Sequence, residues 1–415
     1  MNPIVIVAAL AAQTGTQTGT PASTDTAAPK ISTGESTYVD VEAGAGYSSN
    51  PNLSIINDEG SAFGRISLHA VHSRVSARST TVLSGLVENV SYTNDHGSQQ
   101  SVNLYGRHDA AVSEHVRIFG DVNASYQENG MLDTRVLGLP LVPPQTPGGL
   151  ITPPILLPPT GDFLSITGRQ YSCSGHAGGT FALSQHDSMS VSSGVEHVLF
   201  HSEIARTSYT TVPVSLAFDR QLSARTTVGA RVVAQDTEYD GPASVRLITP
   251  QLTGRMLLSP RLSLDGAVGV SFARIDNGVT VSHSTGLSAQ ANLCGQGETS
   301  FFCARFSADE QTATTAGPAR SISGAVDYTQ RLDADQTISF SLGATHYSTP
   351  TSVVTGRSFS AATYYRAAAS YSHRFATRLF GGVNVAARSL TQNGPDPKTD
   401  FNASLFIRYR LGDVQ

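Results

Sequence analysis

From Ile322 to Tyr347 the chain alternates between apolar and polar side chains, turns, and alternates again. Ile322, Gly324, Val326 and Tyr328 are interleaved with Ser321, Ser323, Asp327 and Thr329. After the polar break Gln330–Asp335, Ile338, Phe340, Leu342 and Ala344 are interleaved with Thr337, Ser339, Ser341 and Thr345. Side chains on a strand point to opposite faces at successive residues, so this pattern specifies a long β-hairpin with one apolar face. Strands of soluble proteins average about five or six residues. Strands of roughly nine to eleven residues, apolar outside and polar inside, match a tilted bilayer crossing. The feature therefore points to an all-β chain forming a transmembrane antiparallel up-and-down barrel.

The rest of the chain agrees. Charged residues are 14%, Trp is absent and Gly numbers 38 of 415. No run of 18 apolar residues is present, which excludes a membrane-spanning helix. A net charge of −5 argues against a nucleic-acid partner. The basic residues are Arg except for Lys30 and Lys398, and the always-charged guanidinium fork suits a wet, carboxylate-bearing wall.

Residues 3–12 (PIVIVAALAA) read as the apolar region of a secretory signal. No Lys or Arg precedes them, so segment 1–12 is a partial signal and points to a start placed too far downstream. Residues 13–36, rich in Thr, Gly, Ser, Ala and Pro, read as a disordered linker. The barrel is expected over 37–412. Its alternating segments begin at Tyr38 and number about sixteen, with two long interruptions. One is the Pro-rich stretch 127–168, which cannot join a ladder because Pro lacks the donor. The other is 276–318. Every second connection is short and polar (LSQHDS, DRQLSART, LSPRLS, QRLDADQ, HRFATR), whereas the intervening ones vary. Short periplasmic turns against longer outer loops is the asymmetry of outer-membrane barrels, and it places both long interruptions outside. A β-solenoid would repeat at one fixed period, which this chain does not.

Parity assigns charges to the inner wall. Arg65, Arg107, Arg117, Arg231, Arg366, Arg388, Arg408 and Arg410 fall opposite the apolar faces, with Asp121 and Glu196 among the acids. An Arg facing lipid near the midplane costs about 2–4 kcal/mol, so these side chains need an aqueous lumen or an ion-paired plug. Both readings stand on sequence. Cys294 and Cys303, eight residues between them in one predicted outer loop, make a local disulfide geometrically easy in an oxidising compartment. Cys173 reads as an unpaired wall residue. No metal-ligand spacing and no cofactor motif is found, and neither HExxH nor GxSxG occurs. The one pairing that would suit a lipid-modifying hydrolase is His197 with Ser192 or Ser193, a proximity that a Ser-rich chain produces by chance.

The segment VEAGAGYSSNPNLS resembles the first strand and exit of outer-membrane β-barrel porins associated with exopolysaccharide gene clusters, and YSCSGHAGGTFALSQHDSMSVSSGVEHV is similar to their turn-flanked strands. FNASLFIRYRL resembles the terminal assembly strand of outer-membrane proteins, although the chain ends Gly-Asp-Val-Gln where an aromatic residue is usual. The resemblance implies an outer-membrane location, contact with membrane lipid and the barrel-assembly machinery, and a role in polysaccharide export with periplasmic components. The expected function is a channel or secretion pore for hydrophilic solutes, anionic polysaccharide-like ones among them. The alternatives are the hydrolase or a plugged barrel serving as adhesin or scaffold.

Overall fold

A computed structural model describes residues 34–51, 53, 59–94, 96–128, 169–201, 207–313, 317–348, 361–392 and 397–413. Among the described residues there are eighteen strands. The first six are β1 (Gly34–Ser48), β2 (Ser61–Val75), β3 (Ser79–Tyr92), β4 (Ser98–Ala111), β5 (Val116–Glu128) and β6 (Arg169–Ala182). The next six are β7 (Asp187–His201), β8 (Tyr209–Ser223), β9 (Thr226–Tyr239), β10 (Ser244–Ser259), β11 (Leu262–Asp276) and β12 (Val281–Gln296). The last six are β13 (Ser300–Ala313), β14 (Gly317–Arg331), β15 (Gln336–Tyr347), β16 (Ala362–Ala376), β17 (Leu379–Gln392) and β18 (Lys398–Gly412). Each strand pairs antiparallel with the next, and β18 returns to β1, with Tyr38 opposite Gly412 and Ser48 opposite Asn402. Closure leaves no unpaired edge, the one arrangement that satisfies a sheet's backbone throughout.

The count of sixteen is thus corrected to eighteen, and the correction lies in 276–318. This stretch is not a loop. It holds β12 and β13, joined by a turn at residues 297–299. Leu287, Ala289, Ala291 and Leu293 do alternate with Ser288, Gln290, Asn292 and Cys294. The two central apolar members are alanine, however, and too small to stand out against Ser, Gln and Gly. The pair is also the least regular in the wall, since β12 and β13 are laddered only from Ala289–Ala308 to Gln296–Phe301. Most of the Pro-rich stretch 127–168 falls outside the described residues; Gln127 and Glu128 end β5.

Connections alternate as expected. At one end of the barrel they are two to four residues, as between Ser223 and Thr226 or Ala111 and Val116, and both described chain ends, Gly34 and Asp413, lie there too. The outer face is apolar, with Ile66, Leu104, Val122, Leu252, Leu342, Leu405 and Ile407 all more than half exposed. On β18 the alternation is complete: Phe401, Leu405, Ile407, Tyr409 and Leu411 point out, while Asp400, Asn402, Ser404, Phe406, Arg408 and Arg410 are buried on the inner face. An outward apolar and inward polar closed sheet inverts the plan of a soluble barrel, and eighteen strands make a cylinder wider than the wall's own side chains can fill.

Candidate pore wall

Registry across β17, β18, β1, β2 and β3 gathers one band of charge on the inner wall. Arg410 stands directly opposite Asp40 and donates to both its oxygens, Nε–Oδ1 at 2.7 Å and Nη2–Oδ2 at 2.6 Å. Its guanidinium also lies 4.1 Å from the Tyr38 ring centre, a cation–π distance. One step along, Arg408 faces Glu42 in the register and rests 5.2 Å from the Phe380 ring centre and 5.9 Å from that of Phe406. Glu42 accepts from Arg65, which also comes within 4.0 Å of Glu88. These pairs are nearly shielded from solvent, so their Coulomb energy is not screened away as on an exposed surface.

At the long-connection end of the same wall, Asp400 is fully buried and saturated with donors. Arg388 reaches its Oδ2 from Nε at 3.0 Å and Nη2 at 2.5 Å. Ser48 Oγ donates to Oδ1 at 2.6 Å, and the Asn50 amide donates at 3.0 Å. A third Arg388 hydrogen bond, 3.3 Å to the Pro51 carbonyl, ties the start of the first long connection to the wall. Leu53 then packs inside the barrel mouth on Tyr347, Tyr364 and Leu390.

On the opposite wall one arginine is held by neutral amides rather than by a carboxylate. Arg231 donates to Gln251 Oε1 at 2.9 and 2.6 Å and to Gln290 Oε1 at 3.4 Å, so its bonded partners carry no charge. Gln251 Nε2 continues to Ser288 Oγ at 2.6 Å, and Ser288 and Gln290 both donate to Asp309. This chain runs from β9 to β13. It skips β11 because Gly269 sits there between Gln251 and Ser288; a Cβ at that position would meet the Pro250 carbonyl oxygen at 2.0 Å and the Gln251 Cγ at 2.8 Å. Where the β12–β13 ladder has opened, side chains of Ser288 and Asp309 span the gap.

The remaining residues assigned by parity lie on the inner face as well. Arg107 forms an ion pair with Asp109, two residues along its own strand, at 2.8 Å rather than with Asp121, its cross-strand neighbour. Asp121 bonds His176 Nδ1 at 3.0 Å. Glu196 stands between Ser174 and Thr211, and Arg117 between Ala111 and Thr180. Arg366 lies opposite Gly343 and Arg388, its Nε 3.1 Å from where a Gly343 side chain would begin. The ten residues therefore share a face without converging on one site. The sequence pattern does not single out Asp400, Gln251 or Arg305, the ion-pair partner of Asp327. Parity along FNASLFIRYRL, carried one residue further back, is the signal that finds Asp400.

Cys294 and Cys303 form a disulfide. They are directly opposed on β12 and β13 beside the 297–299 turn, which corrects their expected place in an outer loop: they belong to the short-turn end, facing inward. Cys173 is free and exposed. His197 bonds Thr210 Oγ1, while Ser192 bonds Ser215 and Ser193 the Pro213 carbonyl, so neither serine meets His197. Among the described residues no group of three potential metal ligands occurs.

A closed antiparallel barrel with an apolar outside and a charged, hydrogen-bonded inside is the class that ladder and wall define. No protein-family model matches the chain, and no curated protein matches its sequence. Among solved structures it is similar to OccK2 (OpdF) of Pseudomonas aeruginosa, at 9% identity, TM-score 0.42, covering 92% of this chain and 98% of that one. It is likewise similar to the FrpB iron transporter of Neisseria meningitidis (8%, TM-score 0.44, 90% and 82%). The siderophore receptor PirA of P. aeruginosa aligns at 10% identity and TM-score 0.39, over 90% and 80%. At these scores the superpositions carry no argument, and the barrel rests on its own ladder.

Proposed function

We propose that this protein is an outer-membrane channel through which small hydrophilic solutes cross. The observation that carries the reading is the division of the wall: large exposed apolar side chains on the outer face, ion pairs and hydrogen-bonded amides on the inner one. In water the outer face would expose far more contiguous apolar surface than a soluble monomer tolerates. In a bilayer the same face is solvated, and charges such as Arg231 and Arg366 then need the aqueous lumen that eighteen strands enclose. The alternation of connection lengths supports an orientation with the short turns and the disulfide on the periplasmic side. The finer reading is an anionic, polysaccharide-like solute. It is supported by Arg231, whose charge is held on neutral glutamine oxygens and stays available to a passing carboxylate. Purified protein in a planar bilayer should give unitary conductance steps, and uronate-containing oligosaccharides should interrupt the current more than neutral ones of equal length. A folded, inserted barrel without conductance would overturn the channel in favour of a plugged scaffold.

A further inference from the structure

Histidine is an odd residue to find on the lipid-facing side of a barrel, yet four of them recur there in one arrangement. His72, His108, His197 and His346 each lie directly opposite a threonine on the neighbouring strand: Thr37, Thr81, Thr210 and Thr363. In every pair Nδ1 meets the threonine Oγ1, at 2.9, 2.8, 2.8 and 2.9 Å respectively. All four share parity with exposed apolar residues of their own strands: Leu68, Leu104, Val195 and Leu342. Two pairs stand at the short-turn end of the apolar band, where Thr37 follows Val39 outward along β1. The other two stand toward the long-connection end, where His346 ends the outward row of β15 and His197 sits one position inside Leu199.

An imidazole has two ring nitrogens, and the pairing accounts for one. The second, left in hydrocarbon without a partner, would be an unsatisfied polar group in a medium that offers it no hydrogen bond. These rings therefore belong where polar groups resume, at the two headgroup layers. Trp, one of the two aromatic residues usual in that zone, is absent from the chain.

We infer that the four His–Thr pairs are binding points for lipid headgroup phosphates, one set in each leaflet; the inference rests on the membrane placement proposed above. The threonine hydroxyl donates to Nδ1, which fixes the proton on Nε2, and Nε2–H then donates to a phosphate oxygen at the edge of the apolar band. The cross-strand bond also locks the ring plane, so the donor is presented in one direction.

The test is solid-state NMR on histidine-15N protein in phosphatidylethanolamine–phosphatidylglycerol bilayers. Unprotonated Nδ1 and protonated Nε2, with dephasing of Nε2 by lipid 31P, is the expected result. Thr37→Val, Thr81→Val, Thr210→Val and Thr363→Val together keep side-chain shape and remove the hydroxyls. That variant should lose the phosphorus contact and show mixed tautomers while migrating as a folded barrel. Nδ1–H tautomers without phosphorus dephasing in the parent, or dephasing untouched by the four substitutions, would overturn the inference. Dephasing by inorganic phosphate on detergent-solubilised protein, equal to that in bilayers, would assign a free-anion site instead and overturn the lipid assignment. Membrane placement is read separately, from a fluorophore on Leu405→Cys in a Cys173→Ser background with brominated acyl chains. Quenching without phosphorus contact rejects the headgroup sites alone; no quenching rejects the placement itself.

Discussion

Asp400 offers the most quantitative handle on this wall. Its carboxylate is fully buried and accepts from Arg388 twice, from Ser48 Oγ and from the Asn50 amide. Asp400→Ala removes every acceptor and leaves the Arg388 guanidinium, itself largely shielded, without its anion. Truncating one member of a buried pair costs about 3–5 kcal/mol, because the surviving charge has lost its solvation. Asp400→Asn keeps a carbonyl oxygen for Ser48 and Asn50 but gives up the charge-assisted bonds, worth about 1.5–3 kcal/mol. The expected order is therefore Ala worse than Asn, with a gap of one to two kcal/mol on the order of two neutral hydrogen bonds. Urea unfolding of detergent-reconstituted protein reads both values. A double-mutant cycle with Arg388→Met should recover more than about 1 kcal/mol, since removing both charges spares the uncompensated one. Because Arg388 also holds the Pro51 carbonyl, the first long connection should become the preferred site of protease nicking in both Asp400 variants. Costs below about 1 kcal/mol for Asp400→Ala, or zero coupling in the cycle, would refute the assignment of Asp400 as the anchor of that wall.

Gly269→Ala should destabilise the barrel by about 1–3 kcal/mol through its clash with Pro250 and Gln251, whereas Gly254→Ala, which meets nothing within 4 Å, should be near neutral; equal melting shifts would count against the close-approach argument. Cys294→Ser should cost about 2–3 kcal/mol, the chain-entropy value for a bridge of sequence separation 9, and non-reduced peptide maps of the parent should show the two cysteines joined; recovery of two free thiols would contradict this. Arg231→Gln with Arg366→Ser should lower the anion-to-cation permeability ratio read from reversal potentials. That effect should fade near 1 M salt, where the screening length is about 3 Å, and cation preference in the parent would reject it.

What the sequence made legible follows from side-chain size. Strands carrying Val, Leu, Ile and Phe on one face, such as β14, β15 and β18, were read with their inner and outer faces as the structure has them. Alternation depends on contrast, and β12 offered little: Ala289 and Ala291 outward are hardly different in size from Ser288 inward. Parity also explains why the inward arginines could be named and their partners could not. A strand pattern gives the face of a residue but not the register of its neighbour. Arg107 illustrates this, turning to Asp109 on its own strand although Asp121 stands across from it. The Gln251–Ser288 contact was more hidden still, since it depends on a glycine in the strand between them.

The Arg410–Asp40 pair joins residues 370 positions apart, across the seam where the last strand meets the first. That distance makes it a matter of timing. No part of the cylinder can close until the final strand has been delivered, so β1 must wait as an open edge through the folding of everything between. Such an edge accepts partners readily, and a passing strand of another molecule would do. What distinguishes the proper partner is a pattern of matched features read along it. Arg410 meets Asp40, Arg408 meets Glu42, and the Phe406 backbone comes up against Gly44. A slip of one residue turns both arginines toward lipid. A slip of two in one direction sets Arg408 against Gly44 and leaves Asp40 without its cation, and in the other direction it strips Glu42 of its arginine. The seam thus works as a closing check on the whole molecule, applied at the last moment of assembly.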